Sequence, residues 1–168
     1  MDHEISKLIT RQETGALAQE LKARGKTIVF TNGCFDVLHL GHARYLQAAK
    51  AVGDILVVAV NSDRSVRQIK GDLRPLTPQE WRAEVLCALA CVDYVVIFDE
   101  ADPGAIIREI LPHVLVKGAD WPEDAIIGAD TVKAGGGRVV RVPLTPDAST
   151  TALIEEITRR YCRQPNST

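Results

Sequence analysis

The sequence predicts a doubly wound α/β fold, and two observations carry that reading. Short β-branched runs alternate with helical stretches along the chain. Those runs are apolar throughout or nearly so, the pattern of strands covered on both faces of a parallel sheet. No repeat, low-complexity segment or linker interrupts the alternation, so residues 1–168 read as a single domain with its core at about 26–160. Right-handed crossovers are expected between the strands.

Taken in order, Gly15–Arg24 reads as an amphipathic helix with Leu17 and Leu21 four apart, and Thr27–Phe30 as the first strand. Gly41–Val52 follows as a helix with Tyr45, Leu46, Ala49 and Val52 on one side. Ile55–Val60 is the strongest strand, and Lys70 and Arg74 fall on the loop after it. Thr77 as N-cap and Pro78 in the first turn open a helix that runs to Cys91. Its Trp81, Val85, Leu89 and Val92 follow helical spacing, which places Trp81 in the core. Tyr94–Phe98, Val114–Val116 and Arg138–Val142 complete the strands, with helices at Pro103–Leu111 and Pro122–Ala134 between them. Gly135–Gly137 reads as a turn that needs positive φ. Thr151–Tyr161 closes the chain as a helix, and Cys162–Thr168 reads as a fraying polar tail.

Composition narrows the function classes. Twenty Lys plus Arg against 22 Asp plus Glu give a net charge of −2, with no dense basic run. Neither nucleic acid nor an anionic membrane is an expected partner, though a local site can still take an anionic small molecule. The longest aliphatic stretch, Ile55–Val60, is too short to span a bilayer, and the first residues lack a signal-peptide core. Cys34, Cys87, Cys91 and Cys162 contain no C-x-x-C pair and read as reduced thiols of a cytoplasmic protein. No His or Cys near Cys87 and Cys91 completes a metal site, and Cys34 reads as a small packed residue. His3 and His113 have no motif around them and are expected to face solvent.

In doubly wound sheets, ligands bind beyond the carboxyl ends of the strands. After the first strand comes Thr31-Asn-Gly-Cys-Phe-Asp-Val-Leu-His-Leu-Gly-His42, which is neither a P-loop nor a G-x-G-x-x-G fingerprint. Gly33 lets backbone amides approach an anion closely, and the helix starting near Gly41 aims its free N–H groups at the same place. His39 and His42, three apart across that helix start, can both donate hydrogen bonds to phosphate oxygens. The arrangement suits nucleotidyl transfer, which needs two anions held in line and a transition state whose charge is spread. Mg²⁺ on the triphosphate would share that load.

Residues Thr31–His42 resemble the H-x-G-H nucleotidyltransferase superfamily, in its cytidylyltransferase-like, Rossmann-like branch. The likeness continues through Gly53-Asp54, Asn61-Ser-Asp63, Lys70-Gly71, Arg74-Pro75, Glu80-Trp-Arg82, Val92-Asp93, Lys117-Gly-Ala-Asp-Trp121 and Ser149-Thr-Thr151. Within the superfamily the chain is similar to the adenylyltransferases of bacterial ADP-heptose synthesis. The resemblance implies transfer of AMP from ATP to the sugar 1-phosphate D-glycero-β-D-manno-heptose 1-phosphate, releasing pyrophosphate, for the lipopolysaccharide core. Many members carry a preceding sugar-kinase domain; the resemblance implies a stand-alone form here, and a homodimer.

The same resemblance assigns roles residue by residue. Thr31, Asn32, Gly33 and Phe35 would hold the triphosphate with Gly41, while His39 and His42 stabilise charge at the α-phosphate. Asp36 would serve either magnesium or the loop itself. Lys70 and Arg74 would take the sugar phosphate or the triphosphate tail. Arg82 would accompany the nucleotide, unless it is only the polar edge of its helix. Lys117, Gly118 and Asp120 would form the base-side loop, with Trp121 stacking on a base or sugar. Ser149, Thr150 and Thr151 would offer hydroxyls and amides to the β- and γ-phosphates. Two departures stand out. Leu144-Thr145 occupies the place of an Arg-Thr pair in the glycerol-phosphate cytidylyltransferases, which counts against glycerol phosphate. Ala152, Leu153, Ile154, Glu155 and Glu156 follow the S-T-T element, where some relatives place a cation. The alternatives are a cytidylyltransferase for a polyol phosphate, an FAD synthetase of the same superfamily, or a non-catalytic nucleotide-binding regulatory module.

Overall fold

The computed structural model describes residues 7–146 and 148–162. Six parallel strands form one sheet: β1 (Leu8–Ile9), β2 (Ile28–Gly33), β3 (Ile55–Asn61), β4 (Tyr94–Phe98), β5 (Val114–Gly118) and β6 (Arg138–Val142). Their spatial order is β1-β4-β3-β2-β5-β6. The chain leaves β2 towards β3 on one side and later returns to β5 on the other, so the switch point lies between β2 and β5.

The described residues form seven helices: α1 (Thr14–Ala23), α2 (Leu40–Lys50), α3 (Asp63–Lys70), α4 (Gln79–Cys87), α5 (Gly104–Ile110), α6 (Ala129–Ala134) and α7 (Thr150–Tyr161). The period-2 alternation of each strand feeds two cores. Ile28, Phe30, Val57, Ala59 and Leu115 pack against α1, α5 and α6. Val29, Leu56, Val58, Val60 and Val116 pack against α2 and α4. Two buried faces explain why the strand sequences read as continuous apolar runs. No helix among the described residues is long and apolar enough to cross a membrane.

Several elements differ from the sequence reading. β1 is a two-residue edge strand paired with β4, too short to carry a periodic signal. The loop expected to hold Lys70 is the helix α3, capped by Ser62, whose side chain accepts from the Ser65 N–H. Lys70 is its last residue; Arg74 does lie on a loop. α4 runs from Gln79 to Cys87, shorter than expected, and Pro78 rather than Thr77 stands at its N-cap. It buries Arg82, Ala83 and Leu86 and leaves Trp81 64 % exposed, so Trp81 is not a core residue. Two apolar stripes fit the helical period there, and only packing chose between them. The stretch Pro122–Ala134 breaks into a short 3-10 turn at Glu123–Ala125 and the helix α6, separated by Gly128 at φ 89°. Gly136 supplies the positive φ expected of the glycine turn.

His113 is exposed as expected, but its Nδ1 accepts the N–H of Ile28 and caps β2. The four cysteines are free thiols. His3 and residues 163–168 of the tail lie outside the described residues.

Candidate active site

A cavity of about 900 Å³ opens at the carboxyl ends of β2, β3, β4 and β5. It is lined by Asn32, Gly33, Phe35, Asp36, His39, Gly41, His42, Lys70, Arg74, Lys117, Gly118, Asp120, Trp121 and the α7 start at Ser149, Thr150 and Thr151. Residues spread over 120 positions of sequence therefore meet in one place.

His39 is the N-cap of α2, with its Nδ1 accepting the Gly41 N–H at 3.1 Å. That bond fixes the neutral tautomer: the proton sits on Nε2. The ring of His42 stacks on that of His39 at 3.8 Å between centroids, and Phe35 lies 5.4 Å from it on another side. The Nδ1 of His42 is buried without a hydrogen-bond partner. Burial pushes the His42 imidazole down to about 4, and the neighbouring His39 adds to the effect. His39 is also lowered by burial. Both rings are neutral at pH 7 in the ligand-free site. A Cβ on Gly41 would stand 2.9 Å from the Ala148 carbonyl, so glycine is needed where α2 meets the loop before α7.

Asp36 does not fit a magnesium ligand. Its carboxylate is fully buried and accepts from Arg74 Nε at 2.6 Å, the Leu76 and Thr77 N–H groups, and the Thr77 hydroxyl. Burial alone would raise its carboxyl; these donors reverse that and hold it below the usual carboxylate range. Its own carbonyl accepts the Thr150 hydroxyl at 2.6 Å. Asp36 thus ties the β2–α2 loop, the α3–α4 loop and the α7 start together. Phe35 and Val37 on either side have φ of 48° and 56°, unusual for a β-branched Val, and the Asp36 bonds hold that strained turn. Anchoring Nε leaves the two terminal nitrogens of Arg74 for a ligand.

Two expected binding residues do not line the cavity. Arg82 is buried and donates to the carbonyls of Thr77, Cys34 and Asn61 and to Asp63 Oδ1. It is neither a polar helix edge nor open to a nucleotide, but a strut beneath the site. Thr31 is fully buried, and its hydroxyl bonds the Tyr45 hydroxyl at 2.7 Å. Tyr45 in turn donates to the Val116 carbonyl, and its environment pushes its phenol up to about 12 by burial.

Sequence reasoning missed Asn61, Asp102, Ile126, Ile127 and Leu144 as cavity residues. Asn61 ends β3 and Asp102 lies in the loop after β4, and a place at a strand's carboxyl end is the signal that could have found them. Ile126 and Ile127 carry no such signal, because they reach the cavity only through the break before α6. Among the described residues, no group of three or more His, Cys, Asp or Glu could hold a metal ion.

Comparison with known proteins gives the family and the fold. The sequence profile of the family described as Cytidylyltransferase-like matches residues 30–156. The bifunctional protein HldE of Pelobacter propionicus is 49 % identical over 93 % of this chain and 32 % of its own length. Its counterpart in Geobacter metallireducens is 54 % identical over 83 % of this chain and 29 % of its own length. The chain therefore spans about a third of the curated relatives it matches. A lipopolysaccharide core biosynthesis protein from Thermoplasma volcanium superposes with a TM-score of 0.60 at 30 % identity, covering 72 % of this chain and 98 % of that one. A pantoate-beta-alanine ligase from Francisella tularensis gives a TM-score of 0.60 at 14 % identity, over 91 % of this chain and 79 % of that one, a likeness of fold alone.

Proposed function

The chain belongs to the cytidylyltransferase-like family, and from that premise we propose that it transfers AMP from ATP to D-glycero-β-D-manno-heptose 1-phosphate, forming ADP-heptose and pyrophosphate. The observation that carries nucleotidyl transfer is the stacked, neutral His39–His42 pair at the start of α2, facing the same cavity as the start of α7. The choice of acceptor rests on likeness to the bifunctional HldE proteins along most of this chain, and on Leu144 standing where glycerol-phosphate enzymes carry arginine.

In this reading an oxygen of the sugar phosphate dianion attacks the α-phosphorus of ATP. The bond from that phosphorus to the bridging oxygen of the β-phosphate breaks, and pyrophosphate leaves with the electron pair. No proton must be removed from the nucleophile, so neutral imidazoles suffice. His39 donates from Nε2 to an oxygen whose charge grows in the transition state, and His42 lies beside it. Ser149 caps α7, and its neighbours Thr150 and Thr151 present the helix start to the triphosphate tail. Arg74, aimed by Asp36, and Lys70 take the acceptor phosphate. Magnesium would arrive on the triphosphate and neutralise part of its charge, since Asp36 is consumed by protein donors. We further place the protein in the cytoplasm, where ATP is available, and expect a homodimer in solution, which light scattering tests.

Pyrophosphate release is the deciding assay, with ATP and CTP each offered against the heptose phosphate and glycerol 3-phosphate. Turnover is expected for ATP with the heptose phosphate, and the site should reject an acceptor that leaves its polar groups unpaired by up to about 10⁴-fold. Faster turnover with CTP and glycerol 3-phosphate would replace this assignment. Nucleotide binding without turnover of any pair would favour a regulatory module.

A further inference from the structure

Lys117 lies on β5 one residue before its end, and its side chain is largely withdrawn from water inside the cavity. β2 and β5 pair in register, Val29 with Val114 and Phe30 with Leu115. The same offset of 85 brings Asn32 beside Lys117 at the two strand tips, and the Lys117 ammonium donates to Asn32 Oδ1 at 2.6 Å. Among the described residues that is its one hydrogen bond, and none of their carboxylates forms an ion pair with it. The charged or titratable groups that face it are Asp120, from the loop after β5, and Cys34, from the loop after β2.

A cation withdrawn from water without a counter-ion is costly, and proteins keep one only where a partner arrives. A neutral base offers single acceptor atoms and little compensation. A phosphate offers full charge. The position narrows the choice further, because the tips of β2 and β5 form the switch point of the sheet, next to the loop that carries His39 and His42. Asn32 holds one of the three ammonium protons and leaves two for the ligand.

We propose that Lys117 is a catalytic residue that grips the α-phosphate from the β5 side, opposite the histidines, rather than a contact to the base. This rests on the nucleotidyl-transfer reading above. In the displacement, charge gathers on the non-bridging oxygens of the α-phosphate while the bond to the bridging oxygen breaks, and the ammonium stabilises that charge without giving up its proton. Burial lowers the ammonium to about 8 in the ligand-free protein. The phosphate charge should raise it again on binding, so ATP binding should weaken above about pH 8.

The test compares wild type with Lys117→Met and Lys117→Arg by three measurements. Turnover by pyrophosphate release should fall on the order of 10²-fold or more in Lys117→Met, the usual loss for a donor of this kind. Calorimetric titration should show ATP binding weakened in Lys117→Met while adenosine binding is unchanged. The melting temperature of ligand-free Lys117→Met should equal or exceed that of wild type, because an unpaired buried charge has been replaced by a thioether. Lys117→Arg should restore part of the ATP affinity. Equal weakening of ATP and adenosine would assign Lys117 to the base and overturn the proposal. A lower melting temperature with unchanged ATP binding would make Lys117 structural, and would equally overturn it. The ATP-against-adenosine comparison needs no acceptor, so it decides the role of Lys117 even if the heptose assignment fails.

Discussion

Arg82 and Lys117 are both cations withdrawn from water beside one cavity, yet they are held in opposite ways. Arg82 spends four of its five N–H groups on Thr77, Cys34, Asn61 and Asp63, and it is buried outside the cavity lining. Lys117 gives one, to Asn32. The contrast extends to the walls they stand for. On the α3–α4 side, the buried carboxylate of Asp36 is saturated by Arg74, Leu76 and Thr77. On the side built from α2, β5 and α7, His42 Nδ1 is unpartnered and α7 buries none of its residues. A charge whose bonding capacity is used up by the protein builds the site; one with capacity to spare meets the ligand. Counting partners separates the two roles where residue type does not.

The largest effect expected on the saturated side is on stability. Asp36→Ala strands the Arg74 guanidinium and three further donors, and breaking a buried pair typically costs about 3–5 kcal/mol. Urea denaturation should show the loss; a cost under about 1 kcal/mol would dissolve the distinction between the walls. On the open side the effect should fall on rate. His42→Ala should lower kcat by about 10²-fold, roughly 2.7 kcal/mol of transition-state stabilisation, and leave ATP affinity within about tenfold. A variant that keeps more than about a tenth of the wild-type kcat would remove His42 from the chemistry.

A pH experiment sharpens the same contrast at smaller amplitude. The folded His42 imidazole titrates at about 4 and the unfolded one near 6.5. Between those values the unfolded chain takes up a proton that the folded protein refuses, so stability falls as pH drops through that window. His42→Gln should lose less stability than wild type between pH 6.5 and pH 4, read as the shift of the urea midpoint. Identical shifts would mean that the ring is not held neutral by its burial. The smallest effect belongs to the outer face of α7, where Leu153 is 39 % exposed and Ile157 56 %. Leu153→Ser should change the stability of the monomer by no more than about 0.5 kcal/mol. A larger loss would reveal packing on the α7 side of the cavity.

Much of the molecule was legible in the chain. Continuous apolar strands alternating with helices require a sheet covered on both faces, because β-branched runs without polar alternation have no solvated side. The two histidines around Gly41 announced a helix start that faces the cavity, since that signal is local to four residues. α3 was illegible as a helix: its sequence is mostly polar, and tertiary packing of Ser65 and Val66 holds it in place. The face of α4 was ambiguous for a different reason, as two apolar stripes competed and the sheet accepted the one that carries Arg82.

The amino-acid sequence by itself determined the fold class, the place of the cavity at the strand ends and most of the residues that line it, because periodicity, capping and helix-terminal amides act over a few residues. Tertiary structure alone decided which of those residues are spent. Whether Asp36 held a metal or a loop, and whether Arg82 met a nucleotide or three carbonyls, depended on partners between 5 and 48 positions away along the chain. Hydrogen-bond capacity is finite and is shared through space, so the role of a charged side chain is settled by the groups that the fold brings to it.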